Sequence, residues 1–111
     1  MSVVELVVLF LFAHAICDYP LQGDFLSKAK NRLAPIPGVP WWQAMAAHSA
    51  IHAGAVFLLS GVWWMAVVEF VAHFLIDDAK CTNRIGFNTD QALHVALKLV
   101  FVAALMMGVG E

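Results

Sequence analysis

Every histidine in this chain has a carboxylate or a second histidine four residues away. His14 precedes Asp18, His48 precedes His52, His73 precedes Asp77, and His94 follows Asp90. A spacing of four sets two side chains one above the other on a single helix face. Glu69 extends the third pair to i, i+4 and i+8. Each pair lies in or beside an apolar run of membrane-span length, where ionisable groups are expensive and need partners. The pattern therefore calls for helices that turn these faces toward one another.

Composition agrees. The 111 residues suffice for one domain. They are 62% hydrophobic and 13% charged, with a mean hydropathy of +0.81; ordinary soluble domains carry about 25% charged residues. A bundle of this size has too little interior to hide so much apolar surface, and lipid is the expected solvent. Cys17 and Cys81 are too few for a disulfide framework or a thiolate zinc site, and read as small packed residues.

Four apolar segments, at roughly 3–19, 41–60, 62–78 and 90–109, approach the ~20 residues that a span requires. The expected fold is all-α: residues 1–111 as a single integral membrane domain, a four-helix transmembrane bundle with short loops and one longer loop. The first segment lacks a basic n-region and a small-residue cleavage site, so it reads as a retained helix. Pro20 should end it. Trp41 and Trp42 open the second segment and Trp63 and Trp64 the third, as in the aromatic belts of opposite interfaces. Ser60-Gly61 is short enough to make those two helices a hairpin. Residues 20–40 begin polar and end proline-rich, with room for a short interfacial helix within 23–33.

Lys28, Lys30, Arg32, Lys80 and Arg84 all fall in the first and third connections. Positive charge stays inside, so both charged loops are expected in the cytoplasm and both termini outside, in a bacterial inner membrane. Membrane lipids are the expected partners, homo-oligomerisation is left open, and no nucleic acid is expected. At about 1.5 Å per residue, the four pairs then reach a common level near the cytoplasmic side.

Metal binding is the chemistry that suits such a layer. Imidazole and carboxylate at i, i+4 present two donors to one ion, and bundles build metal sites from facing helices. His14, Asp18, His48, His52, His73, Asp77, Asp90 and His94 are the candidate ligands. Eight exceed what one tetrahedral zinc needs; they fit two ions sharing a carboxylate, or one ion and its outer hydrogen-bonding partners. A set of N and O donors favours a divalent metal, zinc first, with manganese or iron as alternatives. The spacing Glu69-x-x-x-His73 differs from the Glu-x-x-His of di-iron bundles. Glu69 lies a turn deeper than His73, as a general base, a buried hydrogen-bond partner or a ligand to a second metal. Lys98 is placed to pair with Glu69 or a substrate anion, or to snorkel. Asp78 is expected at the interface.

The combination His14-x-x-x-Asp18-Tyr19-Pro20-Leu21-Gln22, His48-x-x-x-His52, His73-Phe74-x-x-Asp77-x-x-Lys80 and Asp90-Gln91-x-x-His94 resembles a family of small bacterial and phage membrane proteins of unknown function. The resemblance covers nearly the whole chain. It implies that Gln22, Lys80 and Gln91 belong with the histidines and aspartates as functional positions. There is a looser similarity to membrane-bound metal-dependent hydrolases.

The expected function is a membrane-embedded metal-dependent hydrolase acting on a lipid or lipid-linked substrate from the cytoplasmic side. The metal would lower the pKa of a water toward neutrality. Glu69 or Asp24 would serve as general base, and Gln22, Lys80 and Gln91 would bind the substrate. Two alternatives use the same residues differently: a divalent metal or proton carrier, and a non-catalytic membrane interaction protein whose polar cluster is structural.

Overall fold

The computed structural model describes residues 1–110. Among these the chain is all-α, with four long helices and one short one and no strand: α1 (Val3–Asp18), α2 (Gly23–Ala29), α3 (Trp41–Ser60), α4 (Trp63–Cys81) and α5 (Phe87–Met106).

Local chemistry sets most of the boundaries. Ser2 and Glu5 form a reciprocal capping box at the start of α1. Tyr19 leaves helical geometry just before Pro20. The chain then bends by 79° into α2, the short helix for which 23–33 has the composition. Gly61 ends α3 in the left-handed region, at φ +68°, and its N–H donates to the Phe57 carbonyl at 2.8 Å. That conformation strains any residue with a Cβ.

The third connection is shorter than the polar stretch 79–89 suggests. α4 runs on to Cys81, because Ala79 and Lys80 continue it and Lys80 suits a last turn, where cations meet the helix dipole. Asn83, at φ +62°, makes the turn, and Gly86 stands extended before α5. A run of charge marks where a helix reaches polar surroundings, not where its hydrogen bonds stop.

The long helices form a ring in which α1 packs on α3 and α5, α4 packs on α3 and α5, and the α3–α4 hairpin has the most extensive contact. The molecule measures 46 × 23 × 21 Å. Its interior is divided along the long axis. At the end where α1 and α4 begin, Leu6, Phe10, Val56, Val62, Met65, Phe101 and Val102 form an apolar core. At the other end every histidine is buried, with Glu69, Asp77, Asp90 and Lys98. α2 packs against α3 at this polar end.

The surface is the reverse of the interior. Among the described residues, twelve polar or charged side chains are buried, as many as the apolar ones, while twenty-six large apolar side chains are exposed. By length and apolarity, Phe87–Met106 alone is sufficient to cross a membrane, and α1 with α2 qualifies only as a bent pair. In α3 and α4 the interior histidines and carboxylates lower the average without touching the outer face.

Candidate metal centre

The i, i+4 pairs meet at the polar end. Oδ1 of Asp18 (α1) lies 3.3 Å from His48 Nε2 and 3.0 Å from His52 Nε2, both on α3, and 4.0 Å from His73 Nε2 on α4. His48 Nε2 and His73 Nε2 are 3.1 Å apart. These four residues each offer a donor atom, and the four atoms all fall within 4.8 Å of one another. Donors on one tetrahedral zinc, at bond lengths of about 2.0–2.1 Å, stand ~3.3 Å apart. Three imidazoles and one carboxylate converging in this way could hold a metal ion.

The second face of His73 is also held. Its Nδ1 lies 3.3 Å from Glu69 Oε1, and Lys98 Nζ donates to that same oxygen. With the His73 proton on Nδ1, Nε2 turns its lone pair to the other donors, the carboxylate–histidine arrangement found behind metal ligands. Of the three readings open to Lys98 from its position, pairing with Glu69 is the one observed.

Asp77 sits beside the four donors, its Oδ2 3.4 Å from His48 Nε2. Both of its oxygens also meet ammonium groups. Lys30 Nζ is 2.5 Å from Oδ2 and Lys80 Nζ 3.0 Å from Oδ1, and Lys30 reaches Gln22 Oε1 as well. Burial disfavours the charged form of Lys80, in the last turn of α4 and beyond its apolar segment, but Asp77 outweighs it and holds the lysine pKa above its ordinary value. Lys30 is only 2% exposed, a partner that sequence reasoning missed. It carries no periodic signal and lies forty-seven residues from Asp77.

His14, Asp90 and His94 lie beside these donors. His14 Nε2 is 3.4 Å from Asp18 Oδ2 and 3.1 Å from Gln91 Oε1. His94 Nε2 is 3.2 Å from Asp90 Oδ1. The His94 ring stacks on His73 with centroids 4.1 Å apart. All five imidazoles therefore share one cluster.

Above the centre opens a cavity of about 460 Å³, lined by Asp18, Gln22, Asp24, Lys80 and Gln91, with Tyr19 and Phe87 at its apolar edge. Gln22, Lys80 and Gln91, expected to bind the substrate, thus line one cavity, and Asp18 belongs to both cavity and donor set. Asp24 lines the same cavity, but its side chain is 97% exposed and 3.9 Å from Lys28, also at the surface. Glu69 faces away from the opening, behind His73. Asp78 holds Arg32 Nε at 2.9 Å and Arg84 Nη2 at 3.2 Å, which fastens the first connection to the end of α4.

No curated protein and no solved structure matches this chain. Residues 6–110 match the family described as a protein of unknown function, DUF3307, and the chain belongs to that family.

Proposed function

We propose that the chain is a membrane-embedded metal-dependent hydrolase, with one divalent ion, zinc by its donor chemistry, held by Asp18, His48, His52 and His73. The observation that carries this reading is the double position of Asp18. It is one of four converging donors and also the floor of an open polar cavity. A closed structural site has no need of such access. A metal here supplies Lewis acidity and a water of lowered pKa.

The chain's own residues do the rest. Gln22 and Gln91 offer amides to a polar head group, and Lys80 offers an ammonium to an anionic one. Asp24, at the mouth, can take up a proton from the cavity, while Glu69 fixes the His73 ring. Tyr19 and Phe87 beside the opening suit a substrate that is part apolar, such as a lipid or lipid-linked ester, amide or phosphate.

The membrane assignment is supported by the reversal of burial: charged groups inside, and Val4, Phe12, Leu58, Leu75 and Val100 outside. An apolar surface this continuous marks a lipid or protein contact rather than water. With the lysine- and arginine-bearing connections in the cytoplasm, the cavity opens to that side and both termini lie outside. The carrier alternative needs a polar route through the other half of the bundle, and seven apolar residues fill it.

The test is metal analysis of detergent-purified protein beside a His48→Ala/His73→Ala double variant. Stoichiometric zinc in the wild type and its loss in the variant are expected, together with loss of hydrolysis across a panel of lipid and lipid-phosphate substrates. Protein devoid of metal sinks the proposal. Metal-driven flux into proteoliposomes without hydrolysis replaces it with the carrier.

A further inference from the structure

The four-donor centre leaves two histidines over. His14 and His94 are both buried, and each keeps an Nδ1 with no hydrogen-bond partner. Asp90, 1% exposed, has an Oδ1 without one as well, although His94 Nε2 is only 3.2 Å from it. A buried carboxylate oxygen left in this state is unfavourable. The separation is close to the ~3.3 Å that two donors on one ion adopt. A matching separation, 3.4 Å, recurs between His14 Nε2 and Asp18 Oδ2. Asp18 therefore presents one oxygen to each side: Oδ1 to His48, His52 and His73, and Oδ2 to His14.

The Gln91 amide links this second group. Its Oε1 is 3.1 Å from His14 Nε2, and its Nε2 donates to Asp18 Oδ2 at 2.9 Å and to Asp90 Oδ2 at 3.1 Å. The amide N–H groups satisfy the two carboxylate oxygens as a cation would, while the amide oxygen accepts the Nε2–H of His14, a proton that an ion bound there would displace. Gln91 also lines the 460 Å³ cavity, so its side chain has open volume to move into.

We infer that His14, Asp18, Asp90 and His94 form a second divalent-cation site that shares Asp18 with the first, with the Gln91 amide holding the donors together until an ion displaces it. Two imidazoles and two carboxylates make it the harder of the two sites, suited to manganese, iron(II) or zinc. A shared carboxylate brings two ions to roughly 3.5–4 Å, the separation of two-metal hydrolytic sites. This inference rests on the reading of the Asp18, His48, His52 and His73 centre as a metal site.

The experiment strips the detergent-purified protein with a chelator, reloads it with Mn²⁺, and measures bound manganese per chain together with its electron paramagnetic resonance spectrum. Two equivalents with an exchange-coupled spectrum are expected. An Asp90→Asn/His94→Gln variant should retain one equivalent and lose the coupling. The equivalent that this variant retains at the first site, with unchanged helix content by circular dichroism, guards against reading misfolding as site loss. A single equivalent in the wild type that survives in the Asp90→Asn/His94→Gln variant, two uncoupled ions, or two equivalents surviving in that variant each overturn the second site and leave the first standing. Zero equivalents overturn the second site, and zero on reloading with Zn²⁺ as well overturns the first.

Discussion

Glu69 Oε1 lies 3.3 Å from Nδ1 of His73, one helical turn away, and both side chains are wholly buried. The contact ties the deepest carboxyl in the bundle to the one α4 imidazole in the donor set. Replacing Glu69 by Gln keeps the shape but gives the His73 ring a weaker acceptor. Outer hydrogen-bonding partners of metal ligands are typically worth about 10–100-fold in affinity. Glu69→Gln should therefore weaken zinc binding by about 10-fold or more with little change in helix content, as measured by competition with a chromophoric chelator and by circular dichroism.

Lys98 is the other partner of Glu69, and its removal acts on stability first. Lys98→Met leaves a buried carboxyl without its cation, and breaking a buried pair from one side costs about 3–5 kcal/mol. A second change, Glu69→Leu, removes the stranded group. The double variant should recover most of that loss while still binding zinc more weakly than wild type. Denaturant titration in mild detergent with a double-mutant cycle separates the two effects.

Lys30 and Arg32 are two residues apart and both contact a carboxylate of α4, yet they should behave differently. Lys30 is nearly sealed against Asp77, whereas the Arg32 side chain is 41% exposed beside Asp78. Hydrogen bonds to charged groups contribute about 1.5–3 kcal/mol, and exposed ion pairs about 0–1 kcal/mol, less in salt. Lys30→Met should lower the unfolding midpoint at both low and high ionic strength. Arg32→Ala should shift it slightly at low salt and leave it unchanged at an ionic strength of about 1 M, where screening is strong. Equal shifts for the two would contradict the burial difference.

That contrast also marks what can be read in the sequence. The four helices are legible because pairs at i, i+4 and the breaks at Pro20 and Gly61 are local signals. The gathering of His14, His48, His73 and His94 at one end follows from helix direction and depth alone. Which lysine turns inward is not local. Lys28 and Lys30 share composition and neighbourhood, but Lys28 lies on the outer face of α2 and Lys30 just past its end, where a contact forty-seven residues away draws it in. The division of Asp18 between two groups of histidines is likewise a product of packing. Asp24 reads as equivalent to the other carboxylates only because sequence carries no measure of exposure.

Gly61 offers a test of the α3–α4 hairpin that is independent of the site. Its φ is +68°, and the space a Cβ would occupy there has no neighbour within 4 Å. The only penalty for Ala is therefore conformational, about 1–2 kcal/mol. Gly61→Ala should lower stability by that amount and leave metal content untouched. Retention of full stability would mean that the turn is not left-handed in solution.

The outer face of α4 decides what surrounds the bundle. Val71 lies near the middle of that helix and is half exposed, turned away from Glu69, His73 and Asp77. In water an arginine there touches nothing, and surface substitutions of this kind stay within about 0.5 kcal/mol. At the centre of a bilayer the same arginine costs about 2.5–3.5 kcal/mol on insertion scales. Val71→Arg should therefore cut the membrane-inserted fraction sharply, while Arg84→Ala, in the third connection, should not. Alkaline extraction and protease protection of expressed protein read both. Full, chaotrope-resistant insertion of Val71→Arg, or recovery of the wild type as a soluble monomer without detergent, would remove lipid as the solvent of this face.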